Sequence, residues 1–376
     1  MKPNIVLLVV DSLREDYAQG LEALRDLGFV KYENAIAPAP WTLPSHVSMV
    51  TGLMPSQHGV HESLELFLAG PEQYARLARI RMHRLGYGIL GELKRLGYRT
   101  AIFTANGFIT PQYGFKADEV WTHMKLLVKT DEQNKSKIIW SLVADKRIKE
   151  LLSGFIYYIT TKILGPQEKG GRIIKSGIKR FIRRIGKDDP YFLLINIVEA
   201  HEPYWRFHNS KKLRKIEEAF IHTIVAGKCP EWAYKYVKHY KKFANIATKR
   251  AVEIAQMFDD NTLVIVTSDH GQGLCDPGFS HQYWLEDSVI RVPLWVKYPK
   301  GIEPLVQKGP ISLIEIPKVI KATIRREPAA LGGRACSETF GIALFGFAPF
   351  GYGHILLQKY PNWKEIFQYR YRCYRR

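Results

Sequence analysis

A chain of 376 residues, 46% hydrophobic and 24% charged, is long enough to bury one large core with an appendage, which excludes a disordered tail or a miniature stapled scaffold. Four cysteines (Cys229, Cys275, Cys336, Cys373) lie scattered without metal-ligand spacing, so no disulfide framework is expected, which suits a reducing compartment. The formal charge of +19 points instead to an anionic partner: a polyanionic substrate, a nucleic acid or an acidic membrane face.

The first strand is expected at Asn4–Val10, so early that no signal peptide would precede it. A loop of small residues and prolines, Ala35 to Pro40, leads to a helix that begins at Thr42 and stops at Gly52. Thr42 reads as its N-cap, and Pro44 sits in the first turn, where a missing N–H does no harm. Ile89 to Tyr98 predicts an amphipathic helix, and Arg99–Thr104 the next buried strand. Further strands are expected at Tyr191–Val198, Leu263–Thr267 and Val292–Tyr298, with a helix over Asn245–Phe258 before the second of these. Strands alternating with helices predict an α/β fold, a mostly parallel sheet covered on both faces, with ligands beyond the carboxyl ends of its strands. The domain plan is a catalytic domain over residues 1–300 with a basic insertion at about 116–187. A small C-terminal subdomain with a basic, aromatic tail follows over residues 301–376. The longest apolar run, Phe340 to Leu357, is broken by Pro349 and four glycines and is too interrupted to span a membrane.

Two apolar strands end in carboxylates: Ile5 to Val10 runs into Asp11, and Leu263 to Thr267 runs into Ser268-Asp269-His270-Gly271. With a hydroxyl at the start of a helix, such ends can build a metal site around a nucleophile. Val9-Val10-Asp11-Ser12-Leu13-Arg14, Trp41-Thr42-Leu43-Pro44-Ser45-His46, Thr267-Ser268-Asp269-His270-Gly271 and Ser288-Val289-Ile290-Arg291-Val292-Pro293-Leu294 together resemble the sulfatase-type branch of the alkaline phosphatase superfamily. They occur in that branch's order, across about 300 of the 376 residues.

The resemblance implies an alkaline phosphatase/sulfatase-like fold and one divalent metal held by Asp11, Asp269, His270 and the Thr42 oxygen. Thr42 would be the nucleophile on an anionic ester, and His201 and His281 would bind substrate oxygens or protonate the leaving group. Asn106, at another strand end, matches a substrate contact of the family, and His46 is either a catalytic or a supporting imidazole beside Thr42. His58 and His61 are expected at the surface. Departures from the family pattern shape the chemistry. Sulfatases proper carry a cysteine or serine oxidised to formylglycine where this chain has Thr42, whose Cβ methyl blocks that oxidation. His46 replaces an arginine, and Ser12 replaces a second carboxylate. The loss of that hard oxygen ligand favours zinc or manganese, with calcium or magnesium as alternatives. Ile197 stands where two-metal relatives carry an aspartate, hence one metal.

Three functions are therefore expected from the sequence. The leading one is a metal-dependent hydrolase or transferase of phosphate esters, phosphodiesters or phosphonates; the second is a sulfuric ester hydrolase without formylglycine. The third is a non-catalytic binding protein at a membrane surface. From Lys125 to Lys187 there are 16 Lys/Arg against 5 Asp/Glu, and from Gln358 to Arg376 six against one. Within the first region Ile173, Ile174, Ile178, Phe181, Ile182 and Ile185 form one helical face ringed by Arg172, Lys175, Lys179, Arg180, Arg183 and Arg184. That face would either pack on the core or lie on an anionic membrane. No aromatic stacking pattern or recognised module supports nucleic acid. The expected location is cytoplasmic, with peripheral contact at the inner membrane face, and the oligomeric state is open.

Overall fold

The computed structural model describes residues 2–122, 169–186, 189–204, 210–276, 278–306, 309–328, 330–342, 364–365 and 370–375. Most of the basic insertion lies outside these residues.

Eight strands form the central sheet: β1 (Asn4–Val10), β2 (Val30–Ile36), β3 (Arg99–Thr104), β4 (Glu119–Thr122), β5 (Tyr191–Ile197), β6 (Thr262–Thr267), β9 (Arg291–Lys297) and β11 (Ile311–Ser312). Their order is β11-β2-β9-β6-β1-β5-β3-β4, and only β9 runs antiparallel to its neighbours. Short pairs lie off this sheet: β7 (Gly273–Leu274) with β8 (Phe279–Ser280), β10 (Leu305–Val306) with β12 (Ala330–Leu331), and β13 (Ala335–Thr339) with β14 (Tyr371–Arg375).

Strand β1 shows why the sheet is covered on both faces. Successive side chains of a strand point to opposite sides, and every residue from Ile5 to Val10 is apolar and buried. Val6, Leu8 and Val10 enter one core with Ala244, Ala247 and Ala251 of the Tyr240–Ala255 helix. Ile5, Leu7 and Val9 enter the other, with Leu43 and Val47 of helix α1 (Thr42–Thr51) and Leu90 and Leu93 of the Gly88–Arg95 helix. Each such aliphatic side chain contributes roughly 1.5–3 kcal/mol relative to exposure. The pairing puts the ends of β1 and β6 side by side, with Val9 opposite Thr267, so Asp11 and Asp269 emerge at the same rim.

The chain crosses the boundary expected near residue 300 without leaving the sheet. Strand β11 pairs with β2, and Ile316, Val319 and Ile320 of the following helix pack in the same core as α1.

The basic helix resolves into its core-packed alternative. Over Gly171–Arg184, Ile174, Ile178 and Phe181 are buried in the first core, with Ile182 and Ile185 against it and Ile173 partly exposed. The Glu199 carboxylate accepts the Gly171 N–H at 2.7 Å, seating the helix start on the end of β5. Lys175 pairs with Glu253, Arg184 with Glu119, and Arg180 lies over the Trp121 ring. Most of the apolar face that could otherwise lie on a membrane is thus covered by the protein. No helix among the described residues is long and apolar enough to cross a membrane.

The cysteines require a correction. Cys229 and Cys275, 46 residues apart in sequence, form a disulfide, while Cys336 and Cys373 are free thiols. Only the folded chain brings the loop before residue 231 onto the tip of the β7–β8 hairpin. His58 is corrected as well: it is buried beneath α1, where Val60 N–H donates to its Nδ1 and its Nε2–H donates to Ser48 Oγ at 3.0 Å.

Candidate active site

Helix α1 carries the hydroxyl, but not as its cap. Trp41 is the N-cap residue, with an extended backbone (φ −160°), and Thr42 is the first helical residue. An N-cap hydroxyl would accept an N–H of its own helix. Freed from that duty, Thr42 Oγ1 meets His270 Nε2 at 3.3 Å and accepts from Asn106 Nδ2 at 3.4 Å. Gly52, left-handed at φ 75°, ends the helix as expected.

Around the hydroxyl, one oxygen or nitrogen each from Asp11, Asp269 and His270 lie within 4.8 Å of one another, all buried. Asp11 is oriented by two amides: Asn106 donates to Oδ2 at 2.8 Å and Asn196 at 3.3 Å, while Ser12 Oγ–H donates to Oδ1 at 3.1 Å. Ser12 adopts a left-handed backbone (φ 61°), unusual for a residue with a side chain, and its N–H donates to Asp269 Oδ1 at 3.1 Å. The His270 N–H takes the same oxygen at 3.0 Å, leaving Asp269 Oδ2 buried without a hydrogen-bond partner. His270 Nδ1–H donates to the Gly271 carbonyl at 2.8 Å, which leaves the Nε2 lone pair facing Thr42. Gly271 is needed here because a Cβ would stand 2.2 Å from the Ser288 carbonyl oxygen.

His46 lies one turn along α1. Its Nδ1–H donates to the Thr42 carbonyl at 2.9 Å and stands 3.5 Å from Asp269 Oδ2, while its Nε2 is buried without a partner. On the other side, the His281 ring stacks on His270 with centroids 4.5 Å apart, and His201 meets His281 edge-on at 5.0 Å. Asp11, Asn106, Thr42, His46, His201, Asp269, His270 and His281 therefore fall in one group.

The electrostatics suit a cation. Burial and the neighbouring Asp11 push the Asp269 carboxyl well above the usual range. Burial also works to raise Asp11, but His201, His270 and the Asn106 amide outweigh it and hold Asp11 low. Burial lowers His270 and His46 to about 4 each, so both rings are neutral at pH 7. Two carboxylates, a neutral imidazole aimed by its own backbone bond, and an unsatisfied Asp269 Oδ2 are the donors a divalent ion lacks in water-free surroundings. The residues present fit a single such ion.

Sequence reasoning missed the supporting residues. Asn196 carried a signal, as the polar side chain in the otherwise apolar strand β5. Ser268 Oγ, which accepts the Leu13 N–H at 2.9 Å and donates to the His270 carbonyl, sat unremarked inside a motif. Gln272, Glu202 and Ser280 carried none, because their association is purely tertiary.

The sulfatase family model matches residues 3–320, and the chain belongs to that family, within the alkaline phosphatase superfamily of ester hydrolases and transferases. Solved structures share its fold. The phosphonate monoester hydrolase of Agrobacterium radiobacter superimposes with a TM-score of 0.58 at 15% identity, covering 95% of this chain and 83% of its own. BT1596, a 2-O GAG sulfatase, gives 0.55 at 14%, covering 92% and 79%. The soluble domain of lipooligosaccharide phosphoethanolamine transferase A from Neisseria meningitidis gives 0.51 at 13%, covering 86% and 88%. A search of curated protein sequences found no match.

Proposed function

We propose that this enzyme is a metal-dependent hydrolase or transferase of phosphate esters, phosphodiesters or phosphonates, with Thr42 as its nucleophile. The observation that carries the proposal is Thr42 Oγ1, released from capping and set 3.3 Å from His270 Nε2 beside two buried carboxylates. Asp11, Asp269 and His270 would hold one divalent ion together with the Thr42 oxygen. The imidazole and the reduced carboxylate count favour zinc or manganese over calcium or magnesium. Bound there, such an ion supplies a lowered pKa for the hydroxyl and charge compensation for a non-bridging oxygen.

The chain's own groups divide the remaining work. With its proton released to solvent, the Thr42 oxygen attacks phosphorus as the ester P–O bond breaks, and the leaving oxygen keeps the electron pair of the broken bond and takes a proton. An imidazolium at His201, whose ring meets that of His281, can deliver the proton, while burial holds the His281 ring beside His270 neutral. A water or an acceptor hydroxyl then displaces Thr42, completing hydrolysis or transfer respectively. Asn106 Nδ2, already shared between Asp11 and Thr42, is placed to donate to a non-bridging oxygen. His46 holds the Thr42 backbone through its carbonyl and so positions the nucleophile. The methyl of Thr42, which bars oxidation to an aldehyde, supports phosphorus over sulfur as the attacked centre. Neighbours named for phosphonate hydrolysis and phosphoethanolamine transfer support the same choice, and the sulfatase neighbour keeps the sulfate alternative in the test.

Metal analysis of the purified protein, with turnover of 4-nitrophenyl phenylphosphonate, bis(4-nitrophenyl) phosphate and 4-nitrophenyl sulfate, tests this directly. One equivalent of metal and preference for a phosphorus ester are expected. Preference for the sulfate ester would overturn the phosphorus assignment, and a metal-free protein with full activity would overturn the site.

A further inference from the structure

The basic, aromatic tail takes no part in the chemistry proposed above, yet the fold brings it to both sides of the site. Strand β14 pairs antiparallel with β13, with Thr339 opposite Tyr371 and Glu338 opposite Arg372. Strand β13 in turn touches the loops that carry Thr42 and His281. The Glu338 N–H donates to the Pro38 carbonyl at 2.9 Å, in the loop that leads to Trp41 and Thr42. The Thr339 hydroxyl shares its hydrogen between the carbonyls of Gln282 and Gly341, at 3.4 Å each, and Gln282 directly follows His281. The two loops also meet each other, where Gln282 N–H donates to the Pro40 carbonyl at 2.8 Å.

Two limbs run from the tail to those loops. On the nucleophile side, the Arg370 guanidinium lies over the Phe340 ring, 4.5 Å from its centroid, and Phe340 stacks on His61 with centroids 3.7 Å apart. His61 Nδ1–H donates to the Glu62 carbonyl at 2.8 Å, and the Glu62 carboxyl accepts Trp41 Nε1–H. The stack therefore backs onto the residue that caps α1. Burial lowers His61, with the Arg370 charge adding to it, so a neutral ring completes the stack and does not repel the cation. On the other side, the Tyr371 ring meets Tyr283 edge-on at 6.0 Å, two residues after His281. Arg372, on the opposite face of the strand from Tyr371, pairs with the buried Glu338 carboxylate, which also accepts the Ser56 N–H at 2.8 Å. A two-stranded ribbon is marginal by itself, so these contacts decide where β14 lies.

Neither limb belongs to a core. Arg370 is exposed and Tyr371 is 42% exposed, so removing either side chain should cost little global stability. What they hold is a relative placement. Thr42 rides on helix α1, whereas His281 lies in the loop after the β7–β8 pair, and a shift of about 1 Å between reacting groups can slow a reaction by about 100-fold.

We propose that Arg370 and Tyr371 are positioning residues: through the Phe340–His61 stack and through Tyr283 they clasp the Thr42 and His281 loops together. This rests on the roles given above to Thr42 and the imidazoles beside it, but the clasp itself can be read without turnover. The experiment compares Arg370→Ala, Tyr371→Ala and Tyr374→Ala in the full chain, by hydrogen-exchange mass spectrometry and by turnover of 4-nitrophenyl phenylphosphonate. Tyr374 is the control: it stands on the same strand, 64% exposed, and contacts Arg372. Arg370→Ala is expected to speed exchange about tenfold in peptides covering residues 39–43, and Tyr371→Ala in those covering 281–284, with β1 unchanged. Each should lower kcat about tenfold, with KM within about twofold and the melting temperature within about 2 °C of wild type. Tyr374→Ala should match the wild type throughout. Arg370→Lys, which keeps a cation over the Phe340 ring, should recover most of the lost kcat, which a merely structural role would not predict. Wild-type exchange in both alanine variants overturns the proposal, as does faster exchange with wild-type kcat. If exchange responds as expected but the wild type turns over no phosphorus ester, the clasp stands and the reading of Thr42 falls.

Discussion

The rim at the ends of β1 and β6 and the basic Gly171–Arg184 helix hold charge in opposite ways. At the rim, Asp11, Asp269, His46 and His270 are buried, and Asp269 Oδ2 and His46 Nε2 have no hydrogen-bond partner. Along the helix the charges face solvent, and Lys175 and Arg184 already have carboxylate partners. A buried, incompletely satisfied group costs several times what a solvated ion pair returns, so it persists where function holds it in place. The charges of this helix therefore say less about the chain's chemistry than two aspartates and a threonine do.

That contrast can be broken at either end. The largest effect is expected from Thr42→Ala, which should lower turnover of the preferred ester by about 10³-fold or more, with the fold intact by circular dichroism. Asp269→Asn should act on metal and stability in opposite directions. Removing one of two facing carboxylates should weaken metal binding at least tenfold by calorimetry. In metal-free protein the same change should raise the unfolding free energy by about 1–3 kcal/mol, because the cost of burying a carboxyl whose pKa is pushed well above its ordinary range is gone. If Asp269→Asn destabilises the metal-free protein, the picture of an unsatisfied site is wrong.

On the helix, Ile178→Ala should cost about 2–5 kcal/mol by denaturant unfolding, since Ile178 is fully buried. Lys179→Glu, on the exposed side, should change stability by no more than about 0.5 kcal/mol and leave turnover unaltered. Equal effects from the two would mean that the apolar face is not core. A smaller effect concerns Glu62, which accepts Trp41 Nε1–H beside the nucleophile and is pushed up to about 8 by burial, against 4.5 in the ordinary range. The folded state then binds this proton more tightly than the unfolded one. The stability Glu62 contributes is full below about pH 4.5 and falls as pH rises toward 8. Urea midpoints should decline across that window in the wild type and decline less in Glu62→Gln.

Much of this was legible before the fold. Strands β1 and β3 were bounded as observed, because continuous apolar runs ending in a carboxylate or a polar loop leave little ambiguity. Asp11, Thr42, Asp269 and His270 could be grouped from the sequence because two apolar strands end in carboxylates and because their motifs resemble those of the family. Strand β2, Val-Lys-Tyr-Glu-Asn-Ala-Ile, escaped notice because its polar residues break the alternation, and its register shifts between Tyr32 and Ala35. The reversed direction of β9 has no local signature. Thr42 was misplaced by one residue as a cap because Trp41 caps with its backbone alone, against side-chain preference. The Cys229–Cys275 bond and the approach of Glu202 to Ser280 and His281 join segments far apart in sequence, and no spacing rule anticipates either.

The central claim is that Thr42 is the nucleophile, and the most direct test is to quench the enzyme in acid during turnover of 4-nitrophenyl phenylphosphonate and map the covalent mass by peptide mass spectrometry. A phosphonyl adduct on Thr42, absent from Thr42→Ala, is the expected result. Undiminished turnover by Thr42→Ala with no adduct on any residue would contradict the account.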